Sequence, residues 1–348
     1  MTESPPNDMT AQSTTNIHDT VATAADHIVS ALTDTAAPGS DEAGLAIALE
    51  AARPRADNTT PGTTSLIATA HDINLIDEPV TVAIDLTRVE ETNSTHSRVD
   101  EEAAYLTLSV VGTDRSLILA VADHPTATPA ESPPETRDTL VGLVDDLLAH
   151  ARDAVTIDQV VADSDLCSQR ILEVFDHHNL SYIIQKPIRH TDWQIIHDLN
   201  NRADTTAAVC QFRQSNHETT ALYTPLPTTT PTVADNNIST DAADRYRVLL
   251  TNLNVDPADS TAVLKEYLTR WVPIEIQAAV VRNALATPQI GSSWRAVPPL
   301  AAATAEYNFW QLTHHALSQH DSNEPALAFE DVQQLLDAHL SEANTGTN

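Results

Sequence analysis

The stretch TIDQVVADSDLCSQRILEVFDHHNLSYIIQK (Thr156–Lys186) decides the fold of this chain. It begins with a short apolar run at Ile157–Ala162, which predicts a buried strand that ends at Asp163. Apolar residues at helical spacing follow at Ser168–His178, and Leu180–Gln185 is a second apolar run. A strand, a helix and a strand in close succession predict an α/β domain, in which helices pack on a sheet.

The segments before this stretch predict more of the same sheet. We expect two aspartates to fall at strand ends, because Asp85 follows an alternating apolar run just as Asp163 follows its own. The predicted elements are a strand in which Val80, Val82 and Ile84 alternate ahead of Asp85, strands at Tyr105–Val111 and Ser116–Val121, and an amphipathic helix at Thr139–Arg152.

The segments after it are less regular. We expect residues 188–245 to form an inserted β-rich segment. Within it, Thr206–Arg213 and Thr219–Tyr223 are predicted to pair as a hairpin. Further elements are a strand at Tyr246–Asn254, a long helix capped by Asp259 or Ser260, and terminal helices at Ala296–His320 and Phe329–Leu340.

Four parts of the chain are expected from this pattern. A disordered polar tail covers residues 1–15, and a small helical region covers 16–72. The α/β domain with its mixed sheet covers 73–320 and includes the insertion at 188–245, and a C-terminal helix and tail cover 321–348.

The charge of the chain is extreme. Its 49 Asp and Glu against 18 Lys and Arg give a net charge of 18 − 49 = −31. At ordinary ionic strength this charge would repel nucleic acid. A proteome adapted to molar salt has the same acidic, Lys-poor composition, and there the Debye length is about 3 Å, so the net charge hardly reaches a ligand. We therefore interpret the −31 as a sign of a halophilic habitat, and expect local Arg and Lys to make any DNA contact.

Several classes of protein are disfavoured by composition. The two cysteines, Cys167 and Cys210, are far apart in sequence, which argues against a zinc site. With 7 glycines the chain has no phosphate-binding loop, and it has no G-x-S-x-G motif of a serine hydrolase. Neither a secretory signal nor an apolar run of membrane-spanning length is present, so we expect a soluble cytoplasmic protein that does not contact a membrane.

The helix LKEYLTRWVPIEIQAAVVRNAL (Leu264–Leu285) carries a spaced motif. Tyr267, Arg270, Glu275 and Arg282 follow one another as Tyr-x2-Arg-x4-Glu-x6-Arg. This motif resembles the Y-x2-R-x3-E-x6-K signature of one class of DDE-type insertion-sequence transposases. The resemblance implies a ribonuclease-H-like catalytic domain.

Two other segments resemble the same family. Asp163 and Ser168 match the acid and the serine of its D-R-x-F-x-S pattern, although Ser164 and Leu166 replace the usual Arg and Phe. The terminal segment YNFWQL (Tyr307–Leu312) is similar to the family's Y-N-x-W-x-L helix. The resemblance covers roughly residues 75–318.

The resemblance implies a catalytic site of three carboxylates. Asp85, Asp163 and Glu275 would bind two Mg²⁺ ions, with Mn²⁺ tolerated. Such a site would cut DNA at transposon ends and join the freed 3′-hydroxyl to target DNA.

The remaining motif residues would support this reaction. Arg270 and Arg282 would contact Glu275 and the DNA, and Tyr267 would pack beside them. The implied partners are transposon-end and target DNA, bound by a homo-oligomer of the chain.

One departure from the signature leaves the function open. An extra residue separates Arg270 from Glu275, which on a straight helix turns the Glu by about 100°. We expect a bulge at Pro273 to absorb it. Two alternatives therefore stay open: a degenerate or repurposed relative that keeps the fold but not catalysis, and an acidic protein-interaction module.

Overall fold

The computed structural model describes residues 67, 70–71, 74–90, 102–112, 115–124, 134–201, 207–214, 217–226, 245–286, 299–320 and 328–329. The predicted tail at 1–15 and nearly all of the helical region at 16–72 lie outside these residues. The same holds for the predicted helix at Phe329–Leu340 beyond its first residue.

The described part of the chain is built on one mixed sheet of eight strands. The strands follow the order β3-β2-β1-β4-β5-β8-β7-β6 across the sheet. β4 is parallel to both β1 and β5, whereas the pairs β1–β2, β5–β8, β8–β7 and β7–β6 are antiparallel. The strands are β1 (Val80–Glu90), β2 (Glu102–Val111), β3 (Ser116–His124), β4 (Ile157–Ala162), β5 (Ser181–Gln185), β6 (Ala208–Gln214), β7 (His217–Pro225) and β8 (Tyr246–Thr251).

Five α-helices accompany this sheet in the described residues, so the α/β class with a mixed sheet is confirmed. They are α1 (Pro134–Arg152), α2 (Gln169–His177), α3 (His190–Asn200), α4 (Ser260–Ala286) and α5 (Pro299–His320).

The strand-helix-strand prediction is confirmed as β4, α2 and β5. β4 is buried except at Asp158, as expected for a strand with neighbours on both sides. The Ser168 hydroxyl accepts a hydrogen bond from the Ile171 amide and so caps α2, which buries Ile171, Leu172, Val174 and Phe175.

Two elements differ from the prediction. β1 continues past Asp85 to Glu90, because β2 pairs with it along that whole length, from Asp85 opposite Thr107 to Glu90 opposite Glu102. α3 was not predicted. Its first turn is held by the Asp192 carboxylate, which accepts a hydrogen bond of 2.8 Å from the Arg189 amide.

The chain divides into two compact units. The larger consists of Glu78–Ser116 and Ala120–Ile276, and its core joins the sheet to the first half of α4. That core contains Ala83, Val161, Ile183, Leu222, Leu249, Val263, Leu264, Tyr267 and Ile274.

The smaller unit consists of Met1–Asp77, Leu117–Leu119 and Gln277–Asn348. Within it, the Asn308 side chain on α5 pairs with the backbone N–H and C=O of Ile118, both at 2.8 Å. The domain boundaries inferred from the sequence stay predictions. None of the helices in the described ranges is long and apolar enough to cross a membrane.

Candidate active site

Two of the predicted acids, Asp85 and Asp163, are brought together by strand register. β1 and β4 are parallel, with Ile84 opposite Ala162. An aspartate directly follows each of these two residues, Asp85 after Ile84 and Asp163 after Ala162. Adjacent strands lie about 4.8 Å apart. The expectation that both aspartates end their strands is wrong for Asp85, which lies inside β1 because β2 extends that strand. The shorter β4 ends here and leaves Asp163 at the edge beside it.

The charge on Asp163 is strongly disfavoured. Burial, the neighbouring Asp85 carboxylate and the Asp165 carboxylate together raise the pKa of Asp163 to about 7. Hydrogen bonding to the backbone of Asp165 and Leu166 opposes this rise, and the Asp165 amide lies 3.0 Å from Asp163 Oδ1. The pair therefore favours a proton or a cation near neutral pH.

Each aspartate of the pair accepts a hydrogen bond from its own segment. The Thr87 hydroxyl donates to Asp85 Oδ2, and the Asp165 amide donates to Asp163 Oδ1. Arg88 on β1 forms a salt bridge of 3.1 Å with Asp165. This salt bridge links the segment that follows β4 to β1.

Tyr267 connects α4 to this pair. It is buried, its hydroxyl donates to the carbonyl of Ala162 at 3.3 Å, and its ring stacks on Trp271 with 5.6 Å between centroids. Burial raises the pKa of Tyr267, and the nearby charges of Asp163, Glu275 and Asp85 raise it further while Arg247 opposes them. Each of the three predicted acids therefore acts electrostatically on this hydroxyl, although the three do not form one cluster.

We expect the Tyr267→Phe substitution to lower the free energy of unfolding by about 1 kcal/mol, because it removes one buried hydrogen bond. Urea denaturation measures the change. Tyr246→Phe is the matched control, since the Tyr246 hydroxyl bonds Asn200 at 3.2 Å on the far side of β8 from Tyr267. The control should lose a similar amount of stability but keep the cation affinity of the aspartate pair. Equal stability of Tyr267→Phe and the unmodified protein would contradict the assignment of this bond.

The bulge expected at Pro273 is not seen, and that prediction is wrong. α4 is helical without interruption from Ser260 to Ala286. Tyr267 and Ile274 both lie in the core, and seven residues of straight helix bring them to nearly the same face. A bulge between them would turn Ile274 out of the core.

Glu275 is consequently an exposed residue. Four residues after Arg270, where the transposase signature has its Glu, the chain has the buried Ile274. The neighbours of Glu275 on the exposed side are Val272 and Ile276, which are 52% and 47% exposed. Among the residues that the structure describes, no three His, Cys, Asp or Glu side chains lie close enough together to hold a metal ion.

The two motif arginines make backbone contacts. Arg270 donates to the carbonyl of Val111 at 2.9 Å, and the Ser116 hydroxyl lies 3.5 Å from the carbonyl of Pro273, so α4 is held at the turn between β2 and β3. Arg282 is exposed and donates to the carbonyl of Ala278 one turn earlier, at 3.2 Å. Contacts of either arginine with DNA stay predictions.

A second polar cluster at the same sheet edge was not predicted. Lys186 follows β5 and forms an ion pair with Asp192, which is buried and also accepts a hydrogen bond of 2.7 Å from the Tyr223 hydroxyl. Burial acts to raise the pKa of Asp192, but the hydrogen bonds from Lys186, Tyr223 and the Arg189 amide outweigh it and lower that pKa. A lysine directly after a buried strand, with an aspartate in the first turn of the next helix, is the local signal that could have indicated this pair.

The cluster extends towards Asp163 through Cys167. Burial raises the pKa of the Cys167 thiol, while the charges of Lys186 and Arg189 lower it and those of Asp192 and Asp163 raise it. Because β4 and β5 are parallel, their carboxyl ends meet at one edge of the sheet. Two cationic side chains therefore lie on the β5 side of the aspartate pair.

No protein-family model matches this chain, and no curated protein is significantly similar to it. The arrangement of its own side chains is thus the basis for a functional proposal. Aspartate oxygens are the ligands that Mg²⁺ and Mn²⁺ prefer, so the Asp85–Asp163 pair suits a divalent cation.

Proposed function

We propose that this protein is a DDE-type transposase, a metal-dependent enzyme with a ribonuclease-H-like core that cuts DNA at transposon ends and transfers the 3′ end to target DNA. The observation that carries the proposal is the position of Asp85 beside Asp163, because the two aspartates directly follow the paired residues Ile84 of β1 and Ala162 of β4 and Asp85 raises the pKa of Asp163. Two carboxylates so close together disfavour each other's charge unless a cation lies between them.

The topology of the sheet supports the ribonuclease-H-like core. Such a core has three strands, then a helix, a strand, a helix and a strand, in a mixed sheet with helices packed on it. The order β3-β2-β1-β4-β5, with β1 antiparallel to β2 and parallel to β4, agrees with this arrangement and so supports the proposal. β6, β7 and β8 then extend the sheet beyond β5, with β6 and β7 coming from the predicted 188–245 insertion.

The donor set fits Mg²⁺, or Mn²⁺ in its place. Asp85 and Asp163 would hold the first ion, and Glu275 would have to turn inward from its exposed position to help hold a second. Bound cations activate the attacking hydroxyl and stabilise the leaving oxygen in phosphodiester cleavage. The protein contributes the rigid placement of the two aspartates by the sheet.

Cationic side chains around the pair support a DNA substrate. Arg88 lies beside Asp165, Arg247 acts on the Tyr267 hydroxyl, and Lys186 and Arg189 lie at the end of β5. The chain has only 18 Lys and Arg in 348 residues, and four of these cationic side chains lie near this one site. In molar salt, such short-range charges are the ones that still attract a phosphate.

A DNA strand-transfer assay in high salt tests the proposal. With Mg²⁺ present we expect cleavage and joining of DNA that carries the ends of the element, and we expect both to fall to background in EDTA. Asp85→Asn and Asp163→Asn should abolish the activity, whereas Asp158→Asn, an exposed aspartate of β4, should retain it. Activity that survives in Asp163→Asn would disprove the assignment.

One observation favours a second candidate, a repurposed relative that keeps the fold without catalysis. Glu275 points to solvent, and the signature position four residues after Arg270 is the buried Ile274. Calorimetric titration with Mn²⁺ separates the two. A catalytic protein should bind the ion through the aspartate pair and lose affinity in Glu275→Gln, while a repurposed relative should be indifferent to Glu275→Gln.

A further inference from the structure

We infer that Thr87 is a positioning residue that holds the Asp85 carboxylate in its metal-binding orientation. The inference rests on the proposed function of the Asp85–Asp163 pair and adds a residue to it. Thr87 was not among the residues that the sequence indicated.

The geometry follows from the strand itself. Residues two apart on a strand lie on the same face, so Thr87 is the next side chain after Asp85 on that face of β1. Its hydroxyl donates to Asp85 Oδ2. Thr87 is buried whereas Asp85 is partly exposed, so the hydroxyl supports the carboxylate from the protein side.

The neighbouring charge explains why such a support is needed. Asp163 repels Asp85, and an aspartate with only solvent around it would turn away from that charge. A donor on Oδ2 stabilises the ionised carboxylate and fixes its orientation. Asp163 has an equivalent support, because its Oδ1 accepts a hydrogen bond from the backbone amide of Asp165. The Asp165 carboxylate in turn forms a salt bridge with Arg88. Both acids thus accept a hydrogen bond from a donor two residues further along the chain.

Three variants test the inference. Thr87→Val removes the hydroxyl but keeps the shape of the side chain, and Thr87→Ser keeps the hydroxyl. Thr81→Val is the matched control, because Thr81 is a buried threonine of the same strand whose hydroxyl bonds Gln159 at 3.3 Å, away from the aspartates. Mn²⁺ affinity by calorimetry and thermal unfolding without metal are measured for each.

We expect Thr87→Val to weaken Mn²⁺ binding by about 10–100-fold, as removal of such outer hydrogen bonds does at other metal sites. Thr87→Ser should bind within a few fold of the unmodified protein, and Thr81→Val should bind as the unmodified protein does. The two valine variants should show similar shifts in unfolding temperature, which distinguishes positioning from general stability.

Two outcomes would overturn the inference in different ways. If the unmodified protein binds Mn²⁺ and Thr87→Val binds it equally well, the positioning role is wrong while the proposed function stands. If the unmodified protein binds no Mn²⁺ and Asp163→Asn changes nothing, the proposed function fails and the role of Thr87 fails with it.

Discussion

The Asp163→Asn substitution is expected to stabilise the protein while it removes cation binding. An aspartate has a pKa of about 4 in an unfolded chain. Its neighbours and burial raise the pKa of Asp163 to about 7 in the folded protein. Between these values the folded protein keeps a proton that the unfolded chain releases, so unfolding becomes easier as the pH rises. Asparagine is neutral at every pH and can still accept the hydrogen bond from the Asp165 amide.

The expected gain follows from this linkage. A difference of about 3 pH units corresponds to about 4 kcal/mol, and partial access of water to the side chain reduces it, so we expect about 2–4 kcal/mol at pH 8. The gain should decline below pH 7 and vanish near pH 4, where the aspartate is protonated in both states. Urea unfolding between pH 4 and pH 8 in constant high salt, with EDTA, measures it.

The control and the effect of metal make this result specific. Asp158→Asn on the exposed face of β4 should change stability by less than about 0.5 kcal/mol. Added Mn²⁺ should stabilise the unmodified protein and leave Asp163→Asn unchanged, because a ligand stabilises only the state that binds it. Identical pH profiles for the unmodified protein and Asp163→Asn would show that the aspartate pair is not coupled.

The Lys186→Met substitution is expected to lower the free energy of unfolding by an amount similar to the gain expected for Asp163→Asn. The Asp192 side chain is 2% exposed and pairs with Lys186, which is 17% exposed. Loss of the ammonium group leaves a buried carboxylate without its cation, which costs about 3 kcal/mol. Tyr223 and the Arg189 amide still donate to Asp192, so the fold should survive.

The pH dependence has a defined sign. The pKa of Asp192 is lowered in the folded protein, so its stabilising contribution is present above the unfolded pKa and is lost as the pH falls through the folded pKa. The deficit of Lys186→Met should therefore be largest near neutral pH and shrink in acid. Thermal or urea unfolding across this range records it.

Two further variants test the cause. Lys265→Met removes an exposed lysine of α4 and should change stability by less than about 0.5 kcal/mol. The double substitution Lys186→Met with Asp192→Asn should recover much of the loss, because it removes the unpaired charge. If the double variant is as unstable as Lys186→Met alone, the ion pair is not the source of the effect.

Local pattern was sufficient for most of the secondary structure. The apolar run at Ile157–Ala162 and the helical spacing at Ser168–His178 predicted β4 and α2 almost to the residue, because buried strands and amphipathic helices differ in period. α3 was not predicted, since its first turn depends on Asp192, and that residue is held by Lys186 and Tyr223 from other elements.

What the sequence by itself determined is the α/β class and the position of Asp163 directly after a buried strand, because both depend on neighbours in the chain. Only the tertiary structure decided that Asp85 lies beside Asp163, since that depends on the β1–β4 register and on the length that β2 imposes on β1. It also decided the direction of Glu275. Tyr267 and Ile274 are buried in one core, and α4 is helical without a break through Pro273. Glu275 follows Ile274 and lies about 100° further round the helix, so it is exposed to solvent.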